Sequence, residues 1–210
     1  LNEPNLTQSA RTGIASLVDN GLGAKSASYT AELTGAAGDP STVYVPAGSS
    51  GSPFVANDPG GPRTVGDLQD LNVAGADGSD TVRVIITVAN TGASSAGAYD
   101  VTVSSALPTG YTIADVSNIT ATRGGGLPVT LEANAAYGTG TMAGLFTTNG
   151  VMLEDPSSTA ETPHPTLYGV ADIAHRNVLT ISYDLKLKPD QSAGTVLTAV
   201  GNIVNYTNIF

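Results

Sequence analysis

The feature that most constrains the fold is an alternation of apolar and polar residues in two long segments. The first is Thr81–Ala89, and the second covers residues 179–188. Side chains two positions apart lie on the same face of a β-strand, so both segments predict strands with one buried face. In the second segment we expect the opposite face, which carries Thr180, Ser182 and Asp184, to be solvated.

The rest of the chain has the same character in shorter pieces. β-like runs at about residues 98–105, 111–123 and 195–210 are separated by turns rich in Gly, Pro and Asn. No segment keeps apolar residues at helical spacing over three turns. Many short strands between such turns predict an all-β fold, either a sandwich or a barrel.

The composition restricts which binding partners and which cellular location we expect for the protein. The 210 residues carry a net charge of −10, so the surface repels nucleic acid and anionic membrane, and we exclude both as partners. No apolar run approaches the ~20 residues that cross a bilayer. The absence of cysteine excludes disulfides and thiolate metal sites and is typical of an exported bacterial protein. We therefore predict an extracellular, cell-surface location, and the ends at Leu1 and Phe210 suggest a piece of a longer polypeptide.

Several short motifs occur in order along the chain. They are Glu3–Thr7 (EPNLT), Gly78–Asp80 (GSD), Asn90–Gly92 (NTG), Tyr99–Val103 (YDVTV), Leu107–Gly110 (LPTG), the strand before Pro189, and Gly194–Thr207. This order resembles the Ig-like conserved surface-repeat family of bacterial and archaeal cell-surface proteins, catalogued as domain of unknown function eleven. The chain departs from that pattern at Ser105 and Ala106, where the family often has an Asp.

The resemblance covers about half of the chain and implies its architecture. It implies one Ig-like antiparallel β-sandwich domain over residues 1–210, enlarged by two loop-rich insertions at about 17–75 and 124–172. It also implies an extracellular module with a spacer or structural role and no catalytic residue.

Two hypotheses about function remain open at this point. The first is a structural module of a surface assembly, such as an S-layer, filament or stalk, whose partners are neighbouring copies or adjacent repeats. The second is a binding module of a surface adhesin that holds a glycan or a host protein on its loops. An enzyme is not predicted, because His164 and His175 are isolated and no Gly-x-Ser-x-Gly motif is present.

One acidic segment is a candidate metal site. Asp67, Asp70, Asp77 and Asp80 lie close together in the sequence, and Asp58 precedes them with Arg63 as the one nearby basic residue. Ca²⁺ binds six to eight oxygen atoms in irregular geometry, so these four carboxylates are predicted calcium ligands. The alternative is that they stabilise turns through their own backbone, as Asp often does. No other cofactor is predicted.

Overall fold

A computed structural model describes most of the second half of the chain and separate strands of the first. The described residues are 6–7, 12–18, 26–31, 42–45, 61–64, 69–74, 76–78, 80–90, 92, 97–131, 142–169, 172, 176–192 and 194–207. For the strands up to residue 74, the description covers the backbone alone.

The described residues form fourteen strands, joined by turns and three short 3₁₀ helices. The strands are β1 (Leu6–Thr7), β2 (Thr12–Val18), β3 (Ser26–Ala31), β4 (Thr42–Val45), β5 (Gly61–Thr64), β6 (Gln69–Ala74), β7 (Thr81–Asn90), β8 (Tyr99–Ala106), β9 (Val116–Arg123), β10 (Leu127–Pro128), β11 (Thr130–Leu131), β12 (Val151–Glu154), β13 (Val178–Lys186) and β14 (Val200–Thr207). The 3₁₀ helices are Ile113–Asp115, Gly124–Gly126 and Met142–Phe146.

Two antiparallel sheets form the body of the molecule. The first has the order β1-β7-β13-β9-β10, with β2 also paired to β7, and the second has the order β11-β12-β8-β14. Two further two-stranded antiparallel sheets, β3–β6 and β4–β5, come from the first predicted insertion. The prediction of an all-β sandwich is therefore confirmed.

The core lies between the two sheets and is built by the alternation seen in the sequence. Val82, Val84, Ile86 and Val88 of β7 and Leu179, Ile181, Tyr183 and Leu185 of β13 meet the valines and leucines of β8 and β12. The second predicted insertion takes part, because Leu145, Leu153 and Leu167 are all fully buried. Full burial of one such leucine stabilises the fold by about 1.5–3 kcal/mol. The segment 142–167 thus contributes several side chains to the core.

The expectation that the polar face of β13 is solvated is wrong. Thr180, Ser182 and Asp184 are only 1%, 2% and 7% exposed. The cause is the first insertion, because β4 lies next to β13 and β9 on the outer side of the first sheet.

An ion pair satisfies the charge on this covered outer face. The Arg83 guanidinium donates to both carboxylate oxygens of Asp184, at 2.7 and 3.0 Å, and the Asn118 amide donates to the same carboxylate at 2.8 Å. A buried charge needs such a partner, and the pair supplies one to both Arg83 and Asp184.

The start of one predicted strand also differs from expectation. The last strand is shorter than the predicted 195–210, since β14 begins at Val200 and is described as far as Thr207. Within the acidic segment, Gln69–Ala74 forms β6, because it pairs with β3 along the whole strand.

Candidate functional site

The structure describes the side chains of only some of the predicted calcium ligands. Asp67 lies outside the described residues, and Asp70 is described only as a backbone position in β6. Asp77 and Asp80 are described with their side chains. Among the residues that the structure describes, no group of three acidic or histidine side chains converges on one metal position. The calcium assignment therefore stays a prediction.

Asp80 closes the turn that leads into β7. Its carboxylate is fully buried and accepts a hydrogen bond from the Asp77 backbone N–H at 2.9 Å, while the Asp80 N–H reaches the Asp77 carbonyl at 3.3 Å. The Asp80 carbonyl also accepts from the Leu187 N–H at 2.7 Å. This is the hydrogen bonding of an Asp-stabilised turn.

The Leu107–Gly110 motif and the residues that follow it lie against the same end of β13. The backbone N–H of Lys188 donates to the Tyr111 hydroxyl at 3.2 Å, and the Lys188 ammonium donates to the Gly110 carbonyl and lies 3.3 Å from the Asp115 carboxylate. The backbone N–H of Thr112, followed by the nearby Lys188, lowers the pKa of Asp115. Gly78 packs directly on Pro189, where a Cβ would come within 1.9 Å of its Cα. Two of the motifs quoted above thus meet residues 187–189.

A buried charge cluster that was not predicted from the sequence lies at the Asp155–Tyr168 loop. Arg123, at the end of β9, donates to the Pro165 carbonyl at 2.9 Å and to the Thr166 carbonyl at 3.4 Å. Its other terminal nitrogen pairs with the Asp155 carboxylate, and both side chains are almost fully buried, at 4% and 1% exposure. One guanidinium therefore ties both ends of the loop to the first sheet.

Tyr168 extends this cluster towards the surface. Its ring lies between two guanidinium groups, 5.4 Å from that of Arg123 and 3.7 Å from that of Arg176. The Tyr168 hydroxyl is 3.2 Å from Nδ1 of His164, and Arg176 is held by Asp172. Burial raises the pKa of Tyr168 against the opposing effect of the two arginines. Each described charge in the cluster has a partner of opposite sign, so the arrangement fixes a loop and presents no activated nucleophile.

A sequence signal for this cluster exists but is indirect. The chain has only eight lysines and arginines in total, so an Arg at the end of an otherwise uncharged strand stands out in the sequence. What the sequence does not give is the partner, because Asp155 and Arg123 are 32 positions apart.

We expect this cluster to make stability depend on pH in the acid range. Burial acts to raise the pKa of Asp155, but hydrogen bonds from Ser157 and the contact with Arg123 hold it below its usual value. A carboxylate with a lowered folded-state pKa stabilises the fold above its unfolded pKa, about 3.9, and this contribution disappears as the pH falls through the folded value. Urea unfolding between about pH 6 and pH 3 should show a decrease in the unfolding free energy below about pH 4.

Asp155→Asn is the matched variant for that experiment. The amide oxygen still accepts from Ser157, but the group no longer titrates. The variant should be less stable near neutral pH and lose less stability on acidification. Parallel pH profiles for the two proteins would contradict a role for Asp155.

The second sheet ends in a strand of different character. In β14 none of the eight residues is buried, and Val200, Val204 and Tyr206 are 43%, 45% and 36% exposed. Its register with β8 is regular from Val200 to Ile203 and shifts on both sides of Asn205. The strand thus presents apolar side chains at the edge of a sheet.

Comparison with known proteins adds no relative. No family model, curated protein or solved structure matches the chain. Among the described residues, no helix is long and apolar enough to cross a membrane.

Proposed function

We propose that this chain is a structural module of an extracellular bacterial or archaeal surface assembly, such as an S-layer, a filament or a stalk. It acts by rigid scaffolding and by contacts between subunits. The observation that carries the proposal is that Val200, Val204 and Tyr206 of β14, at the end of the second sheet in the described residues, are 43%, 45% and 36% exposed. Apolar side chains exposed together on a surface mark sites of contact with other proteins.

The interior of the molecule supports a scaffolding role. Both faces of β7 and β13, in the middle of the first sheet, are almost fully buried, and charged side chains such as Arg83 and Arg123 are held by buried acidic partners. Buried, hydrogen-bonded groups of this kind resist local opening, because opening leaves them exposed without their partners. A module that keeps a fixed length or bears force needs such resistance to local opening.

The test of the proposed function is association in solution. Sedimentation velocity over a hundredfold range of concentration, in EDTA and in millimolar Ca²⁺, should show reversible formation of dimers or larger species. A protein that remains monomeric under all of these conditions contradicts an assembly role.

The calcium hypothesis is tested separately by thermal unfolding. If Ca²⁺ binds the native state, a concentration of about 100 times Kd stabilises it by about 2.7 kcal/mol, which raises Tm by about 5–10 °C for a chain of this size. Asp80→Asn should reduce that rise, since it keeps the oxygen that accepts from Asp77 but removes a charge. An identical Tm in EDTA and in Ca²⁺ would leave turn stabilisation as the role of Asp77 and Asp80.

A further inference from the structure

The turn that leads into β12 contains an Asn-Gly pair, Asn149 and Gly150. Such a pair occurs twice in the chain, and the other, at residues 20–21, lies outside the described residues. The Gly150 N–H donates to the Thr147 carbonyl at 3.1 Å, which closes a four-residue turn over 147–150. Thr148 and Asn149 do not have a positive φ, as in a type I turn, where Gly is favoured at the last position. Asn149 is exposed to solvent, whereas Gly150 is buried.

An asparagine that precedes a glycine loses its side-chain amide by a reaction that needs no enzyme. The Gly150 amide nitrogen gives its proton to water or hydroxide and forms a bond to Cγ of Asn149. The bond from Cγ to the side-chain nitrogen breaks, and that nitrogen takes a proton from solvent and leaves as ammonia. Water then opens the five-membered succinimide ring at either carbonyl, which gives aspartate or isoaspartate. Glycine favours the ring closure because it has no Cβ to obstruct it.

The folded structure holds Gly150 in a position that opposes this reaction. Its N–H is already bonded to the Thr147 carbonyl. Its Cα lies against β8, where an added Cβ would come within 2.3 Å of the Val103 carbonyl oxygen, and the next residue, Val151, pairs with Val103. Ring closure turns the Gly150 nitrogen towards the Asn149 side chain and so breaks its bond to Thr147. The reaction therefore requires the turn to open locally.

We propose that Asn149 is a site of spontaneous deamidation whose rate is set by opening of the turn 147–150. This proposal is independent of the proposed function. Isoaspartate adds one carbon atom to the main chain between residues 149 and 150. Because Gly150 and Val151 are held on β8, we expect the added atom to break the Thr147–Gly150 hydrogen bond. The modified protein should therefore unfold at a lower Tm than the unmodified one.

The reaction is measured on the whole chain by peptide mapping, which separates residue 149 from the other asparagines. The protein is incubated at slightly alkaline pH, both folded and in concentrated guanidinium chloride, and aspartate and isoaspartate at position 149 are quantified over time. Asn149 should react in both samples, about tenfold or more slowly in the folded one. Equal rates would show that the turn does not control the reaction. No reaction in the folded sample, while the unfolded one reacts, would show that Asn149 is not a modification site of the native protein.

Thr147→Val tests the role of the turn without changing the Asn-Gly pair. The Thr147 hydroxyl donates to the Gly144 carbonyl at 2.8 Å, so its loss should ease opening and speed deamidation of the folded protein about two- to tenfold. Thr195→Val is the matched control, because the Thr195 hydroxyl makes the same kind of bond to the Ser192 carbonyl, at 2.7 Å, in another turn. It should leave the rate at Asn149 unchanged, and all three proteins should react equally in guanidinium chloride. Equal folded-state rates for the two variants would overturn control by the turn 147–150.

Discussion

Replacing Arg123 with Met should lower the free energy of unfolding by about 3–5 kcal/mol. The substitution leaves the Asp155 carboxylate buried without its guanidinium and removes the donor to the Pro165 and Thr166 carbonyls. Removing one member of a buried ion pair is costly because the other charge stays away from water. Urea unfolding at pH 7 measures the loss, and Tm should fall by about 10 °C or more.

Arg176→Met is the matched control. Arg176 also contacts the Tyr168 ring and also pairs with an aspartate, but its side chain is 29% exposed. Since water can solvate Asp172 after the change, the expected loss is about 1 kcal/mol or less. Equal losses for the two variants would mean that burial does not decide the strength of these pairs.

A double variant separates the charge from the shape of the site. Arg123→Met combined with Asp155→Leu removes both charges, and replacement of a whole buried pair by apolar residues is often close to neutral. The double variant should therefore be more stable than Arg123→Met alone, although the carbonyls of the loop still lack their donor. If it is less stable, the hydrogen bonds that Ser157 donates to the Asp155 carboxylate matter more than the ion pair.

The sequence was sufficient for the parts of the fold that depend on local pattern. The period of two in Thr81–Ala89 and in residues 179–188 correctly predicted β7 and β13, because each places one apolar row against the core. For the other face of β13, the same pattern led to the wrong prediction that its polar side chains are exposed to solvent. Whether Thr180 and Ser182 meet water depends on the β4–β5 hairpin, more than a hundred positions away, and alternation carries no information about it.

The candidate sites show the same limit. The acidic segment was predicted as a metal site from its aspartates alone. In the described part of that segment, Asp80 closes a turn, which is the alternative role given above for these residues. The buried cluster at Arg123 was not predicted, because its partners come from a loop without a regular pattern. The edge strand β14 was predicted as a strand, but its position at the end of a sheet follows only from the pairing order. Tertiary pairing thus decided the roles of Arg123 and β14, while the role of Asp80 is local.

The second large effect is expected at Gly150, in the turn before β12. Gly150 has φ +69°, and a Cβ added there would come within 2.3 Å of the Val103 carbonyl oxygen. That oxygen belongs to the backbone of β8, which pairs with β12 at Val151, so it cannot move without opening the sheet. Gly150→Ala should therefore combine the left-handed backbone cost of about 1–2 kcal/mol with an overpacking cost of about 1–3 kcal/mol.

Gly110 separates these two costs. Its φ is +88°, but nothing lies within 4 Å of the position that a Cβ would take. Gly110→Ala should lose only the backbone part, about 1–2 kcal/mol, and Gly110→Asn less, because Asn tolerates this conformation. At Gly150 the same change to Asn should give no relief, since the steric conflict with Val103 remains. Urea unfolding of the four variants checks this, and a Gly150→Asn protein as stable as Gly110→Asn would show that the β8–β12 pair yields to the added side chain.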